Sequence, residues 1–207
     1  MTGLGLPVDF LKRVPIVPTL LVLLAIGVML RLGFWQLDRM HQKEALIAGH
    51  ALAARQAEEV AWPSVRGQAG ERELARLLYR RSRLDCRKVI AQTTRSGLNA
   101  RDEAGVAQVA SCRKADGAMA DVVLGWSRDP APVPWPGGVV TGWIAPGPRL
   151  VADPPLAGLD ANARPDPSTI PNNHLSYAVQ WFLFAAAALV IYALALRKRL
   201  AAGGASR

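Results

Sequence analysis

Residues Tyr177 to Leu196 read YAVQWFLFAAAALVIYALAL, and this run decides the architecture. It is about 20 residues long, the length that a helix needs to cross a ~30 Å hydrocarbon core. Gln180 is its one strongly polar member. Trp181 stands near its start and Tyr192 near its end, where interfacial aromatic belts fall. Arg197, Lys198 and Arg199 follow directly. A buried core helix is the competing reading, but few soluble helices are apolar on every face over such a length.

A second apolar run lies toward the other end, Val14 to Leu30, interrupted by Pro15, Pro18 and Thr19. Extended through Arg31 to Leu37, it is long enough to span, with Arg31 snorkelling to the interface. Lys12 and Arg13 precede it. A cleaved secretory signal would need a small-residue cleavage site just past the apolar stretch. Trp35, Gln36 and Arg39 stand there instead, so an uncleaved anchor is expected. Basic flanks on both outer sides put both termini in the cytoplasm.

The expected order is a tail over 1–13, a span over 14–37, an outer domain over 38–176, a span over 177–196 and a basic tail over 197–207. The short tails carry no targeting extension rich in serine and arginine. That favours a bacterial inner membrane with a periplasmic domain over a mitochondrial setting. The formal net charge of +9 raises nucleic-acid binding as an alternative. No basic stripe with interleaved aromatics, zinc finger or helix-turn-helix pattern accompanies it, so nucleic acid is not an expected partner and the bilayer is.

Between the spans, Asp38 to Ala61 is rich in good helix formers. It extends the first membrane helix or forms a new one after a bend, and Trp62-Pro63 ends it. Glu71 to Leu78 reads as a second helix. Tyr79 to Gln92 alternates loosely, and Ala107–Ser111, Asp121–Ser127 and Val139–Ile144 are short strand candidates. Arg95–Gly105 and Ser111–Gly117 read as turns or hairpin loops. Prolines crowd Asp129 to Pro171, excluding long helices and leaving edge strand, extended loop and linker. The fold class is therefore membrane α+β. Two transmembrane helices flank a small domain with an antiparallel sheet or half-open barrel and one or two helices. Cys86 and Cys112 are too far apart for a CxxC motif. They pair as a disulfide in an oxidising compartment or stay as two buried thiols.

No nucleophile–base pattern, GxSxG, P-loop, HExxH or GxGxxG is present, and an enzyme is not expected. Two clusters carry chemistry. In the first, Trp35, Arg39 and Lys43 recur every four residues and share a helix face. From spacing alone an interfacial anchor, with indole at the headgroups and arginine on phosphates, is the favoured reading. In the second, His174 opens the last helix, with Tyr177, Ala178 and Trp181 on its face. Imidazole in apolar surroundings is a usual axial ligand of haem iron. A histidine paired with water or a headgroup is the ordinary alternative.

Together the clusters resemble the surfeit-locus family of cytochrome c oxidase assembly factors. Leu32-Gly33-Phe34-Trp35-Gln36-Leu37-Asp38-Arg39, through Lys43 to Leu46-Ile47, matches the family's N-terminal pattern position for position. Asn172-Asn173-His174-Leu175-Ser176-Tyr177-Ala178-Val179-Gln180-Trp181-Phe182 is similar to its C-terminal signature. Leu78-Tyr79-Arg80-Arg81 resembles its opening strand. Val122-Val123-Leu124-Gly125-Trp126 resembles its Gly-Trp strand, without the Asn-Arg that usually precedes it. Val139–Ile144, followed by Pro146, resembles the next strand.

The resemblance implies a role in haem a insertion into cytochrome c oxidase subunit I, alongside the haem a synthesis machinery. It implies that His174 ligates haem a iron through one ring nitrogen, the other being held by a hydrogen bond. Trp35, Tyr177 and Trp181 would wall the porphyrin, and Arg39 would pair with a propionate. The alternative within the family is a haem-free scaffold that grips subunit I. A two-span receptor would need a cytoplasmic output domain, whereas only Arg197 to Arg207 follows the last span.

Overall fold

The computed structural model describes residues 14–64, 67–147 and 149–202. The expected tail over 1–13 and the end of the basic tail lie outside these residues. The chain divides into two compact units, one made of the residues up to Ala45 and from Pro171 onward, the other of Leu46–Ile170.

The first unit is a pair of helices. Helix α1 spans Ile16–Ala53, and the last helix of the chain, α3, spans His174–Ala202. Pro18 is tolerated because it lies in the first turn of α1, where amide hydrogens have no partner inside the helix. The helix is not interrupted after Leu37. The good helix formers of Asp38 to Ala53 continue the same helix. Its end comes at Ala53 rather than at Ala61, because Val60–Ala61 pairs as a strand instead.

The two helices run antiparallel. The hydroxyls of Thr19 and Tyr192 meet toward one end, and Gln36 meets His174 at the other. Gly33 permits the close approach between them. A Cβ there would stand 2.6 Å from the Phe182 ring. Ala178 and Ala185 are fully buried on the facing helix, while Leu20, Leu24, Leu183 and Ile191 point outward. Small residues at the seam and large apolar ones outside is the packing pattern of helices in lipid. Only 6% of the most apolar stretch of each helix is buried, unlike the mostly buried core helix of a soluble protein.

The second unit carries helix α2 (Gly67–Arg76) and seven strands among the described residues. These are β1 (Val60–Ala61), β2 (Arg81–Cys86), β3 (Lys88–Leu98), β4 (Ala104–Arg113), β5 (Met119–Ser127), β6 (Gly138–Ala145) and β7 (Arg149–Ala152). They form one sheet in the order β1-β2-β6-β7-β5-β4-β3. The pairings β1–β2 and β5–β7 are parallel and the other four antiparallel.

This sheet cannot be flat. At about 4.8 Å per strand, β2 and β3 would lie ~24 Å apart. Yet one residue, Arg87, separates them in the chain. The sheet therefore curls until the end of β2 meets the start of β3, as in a half-open barrel. Cys86 and Cys112 close the gap as a disulfide, their Cα atoms 5.2 Å apart. They are not two buried thiols.

The concave side holds the main core, with Leu84, Val122, Leu124, Val140, Ile144 and Leu150 almost wholly buried. Trp62 and Leu74 of α2 join this cluster. The other face carries a smaller one of Val109, Val123, Ala145 and Val151.

Three expectations are corrected in this unit. The turn expected over Arg95–Gly105 shrinks to Asn99–Glu103, because the Asn99 side chain organises it. Its Oδ1 accepts from the amides of Arg101 (2.8 Å) and Glu103 (3.0 Å), and its Nδ2 donates to the Glu103 carboxylate (2.8 Å). The turn expected from Ser111 begins at Lys114, where Asp116 Oδ1 accepts from the Ala118 amide at 2.9 Å. The proline-rich segment holds β7 in the middle of the sheet rather than an edge strand only. Pro146 and Pro154 flank it without interrupting it, and Leu150, Val151 and Ala152 are buried.

Candidate functional site: the histidine end of the helix pair

His174 is the first residue of α3. Its imidazole turns toward α1, where Nδ1 lies 2.7 Å from Oε1 of Gln36. A carbonyl oxygen only accepts, so a hydrogen bond to Oε1 calls for the tautomer with its proton on Nδ1. The lone pair of the neutral ring is then on Nε2. Beside the histidine, Asn172 Oδ1 is buried and has no hydrogen-bond partner among the described residues. Among the described residues no three His, Cys, Asp or Glu side chains gather as a metal site. An iron held at His174 would have to bring its other ligands with it, as a porphyrin does.

The other residues singled out from the sequence stand around this pair. Trp35 and Tyr177 are each 51% exposed. At ~100° per residue, Trp35 and Arg39 on α1 and Tyr177 on α3 fall on one flank of the antiparallel pair. Phe34 and Phe182 meet edge to face at 5.3 Å on the other flank. The Arg39 guanidinium is at the surface and donates to Gln42 at 2.8 Å. Trp181 packs edge to face on Phe184, their ring centres 6.2 Å apart. Among the described residues no hydrogen bond or ring stack joins His174 to Trp35, Tyr177, Trp181 or Arg39. The structure brings Gln36 to the histidine instead. Gln36 lies inside the quoted N-terminal pattern, and an amide entering an apolar helix is itself a signal of a polar partner.

In the sheet domain, two cavities of about 800 and 750 Å³ flank Trp143 and Arg164. The Arg164 guanidinium lies 3.3 Å from the centre of the Trp143 ring, and that of Arg81 lies 5.1 Å from it. Asp153 accepts from both the Trp143 indole (3.0 Å) and Arg81 (3.1 Å). Glu59 stands 4.0 Å from Arg81. Asp153 and Glu59 thus pair with Arg81, while Arg164 stacks on the Trp143 ring and donates to the Ala54 carbonyl. Nearby, burial pushes the His50 imidazole below its ordinary value of 6.5. Burial, and then the charge of Asp166, push the Tyr79 phenol up.

A family model described as the SURF1 family matches residues 23–163 and 145–186. The matched segments include both the Gln36 and the His174 ends of the helix pair, and all seven strands. No curated protein matches the chain.

Proposed function

The chain belongs to the SURF1 family and so takes part in cytochrome oxidase assembly, and on that premise we propose that it is a membrane carrier that holds haem a through His174 for insertion into oxidase subunit I. The observation that carries this reading is the imidazole itself. It is held at one end of a helix pair with Nδ1 against Gln36 Oε1, an arrangement that would leave the Nε2 lone pair for a ligand bond. Haem is the cargo, and it would bring four of its iron's ligands along, which suits a site offering a single protein donor.

The surroundings fit such a cargo. Trp35 and Tyr177 offer half-exposed aromatic faces on one flank, where a porphyrin's apolar plane gains by burial. Trp181 would add an aromatic side chain from the same helix as His174. Arg39 has its guanidinium at the surface, where Gln42 is its one hydrogen-bond partner among the described residues, and it would form a charge-assisted pair with a propionate. One protein ligand without a second also suits release to a receiving protein.

The disulfide supports an oxidising compartment for the sheet domain. Arg197, Lys198 and Arg199 at the far end of α3 support a cytoplasmic side there. Taken together these fit both termini on the inner side of the membrane and the sheet domain on the outer, oxidising side, the periplasm if the membrane is a bacterial inner membrane.

The test is absorbance of the full-length protein purified after co-expression with haem a synthesis enzymes. The wild type is expected to carry haem a, and His174→Ala to lose it. Full haem occupancy in His174→Ala would overturn the carrier reading and leave a haem-free scaffold for subunit I.

A further inference from the structure

We infer that Gln36 is a positioning residue that locks His174 in the tautomer presenting Nε2 to the iron. This rests on the carrier reading above. It adds a residue on the other helix, so that the ligand is prepared by the helix pair and not by α3 alone.

Neutral imidazole has one N–H and one lone pair, and the two tautomers are close in energy when nothing distinguishes the nitrogens. A hydrogen bond at one nitrogen decides which remains free for a metal. The bond from Nδ1 to Gln36 Oε1 is 2.7 Å long, at the short end for N–H···O. It spans 138 residues of sequence, so it exists only where α1 and α3 pack. Gly33, one helical turn before Gln36, and the buried Ala178, one turn after His174, bring the two backbones close enough for it.

The chemistry of the acceptor matters too. A carboxylate in this place would make the stronger, charge-assisted bond and raise the basicity of the ligating nitrogen. It would also add a charge at the end of an apolar helix pair, where charges are costly. A neutral amide orients the ring and does neither. That choice suits a site that has to give its cargo up.

The experiment uses the full chain in nanodiscs. In the cargo-free protein with nitrogen-15-labelled histidine, NMR reads the tautomer of His174. Wild type is expected as the Nδ1–H form, and Gln36→Leu as a mixture of forms. In the haem a-loaded protein, Gln36→Leu is expected to bind haem about 10- to 100-fold more weakly. Gln36→Glu is expected to keep haem and to shift its midpoint potential downward, which a purely structural role of Gln36 would not do.

An unchanged tautomer in Gln36→Leu, or an unchanged affinity and potential in both variants, would overturn the inference. The two readings fail separately. If His174→Ala keeps haem, the carrier reading fails whatever the tautomer. If His174→Ala loses haem while the Gln36 variants match wild type, the carrier reading stands and only the role of Gln36 falls.

Discussion

The helix pair and the sheet domain bury their chain in opposite ways. The sheet domain hides its large residues, with Leu84, Leu124, Ile144 and Leu150 almost fully enclosed. The helix pair hides its small ones, Gly33, Ala178 and Ala185, and turns Leu, Ile and Phe outward. The first follows from the hydrophobic effect in water, which rewards removal of large apolar surface. In lipid that driving force between helices is gone, and close backbone packing replaces it. One chain thus carries two packing patterns, one in each unit.

The largest effect should come from cutting the sheet domain's core. Leu124→Ala is expected to cost about 2–5 kcal/mol of that domain's stability. The matching cut on the helix pair, Leu183→Ala, removes an outward side chain and should cost less than about 0.5 kcal/mol. Denaturant midpoints of the full chain in detergent, followed by tryptophan fluorescence and by helical circular dichroism, would check both. Equal costs would break the contrast.

Next comes the bridge that holds the curled sheet. Cys86 and Cys112 are 26 residues apart. Replacing both with serine should destabilise the sheet domain by about 3.5 kcal/mol through the freed entropy of the unfolded chain. The secondary structure of α1 and α3 should be unaffected. The readout is the denaturant midpoint with and without reductant, where the double variant should no longer respond to reductant.

A large residue at the small-residue seam should do the reverse. Gly33→Leu places atoms into the Phe182 ring and should cost the helix pair about 1–3 kcal/mol. Cross-linking between cysteines placed at Thr19 and Tyr192 should drop, while the native disulfide still forms. Undiminished cross-linking would show that the seam is not packed by small residues.

The smallest effect is a pH dependence confined to the sheet domain. His50 packs against Tyr79 with ring centres 5.0 Å apart, and burial lowers its folded-state value. Between that value and the ordinary 6.5 the unfolded chain binds more protons than the folded one. The contribution of His50 is therefore complete above 6.5 and is lost as pH falls through the folded value. Denaturant midpoints at pH 7.5 and 5.5 should differ in the wild type and converge in His50→Phe.

Much of this could be read along the chain. The apolar runs, their basic flanks and the motifs around Gln36 and His174 are contiguous, and contiguous patterns need no partner to be recognised. The strand cores at Ala107–Ser111, Asp121–Ser127 and Val139–Ile144 were also visible, as short runs bounded by glycine or proline. Their ends were not, because side chains such as Asn99 and Asp116 set the turns. Strand β7 escaped notice as a central strand, since its four residues lie among prolines and only its neighbours β5 and β6 make it central.

Local composition was enough to specify two apolar helices, a β-rich region between them and one histidine at a helix start. Folding alone decided that β2 and β3 meet across a curled sheet and that Cys86 finds Cys112. It alone decided that Gln36 faces His174. Propensity and hydropathy act over a few neighbouring residues, whereas each of those contacts joins segments that only the packed chain brings together.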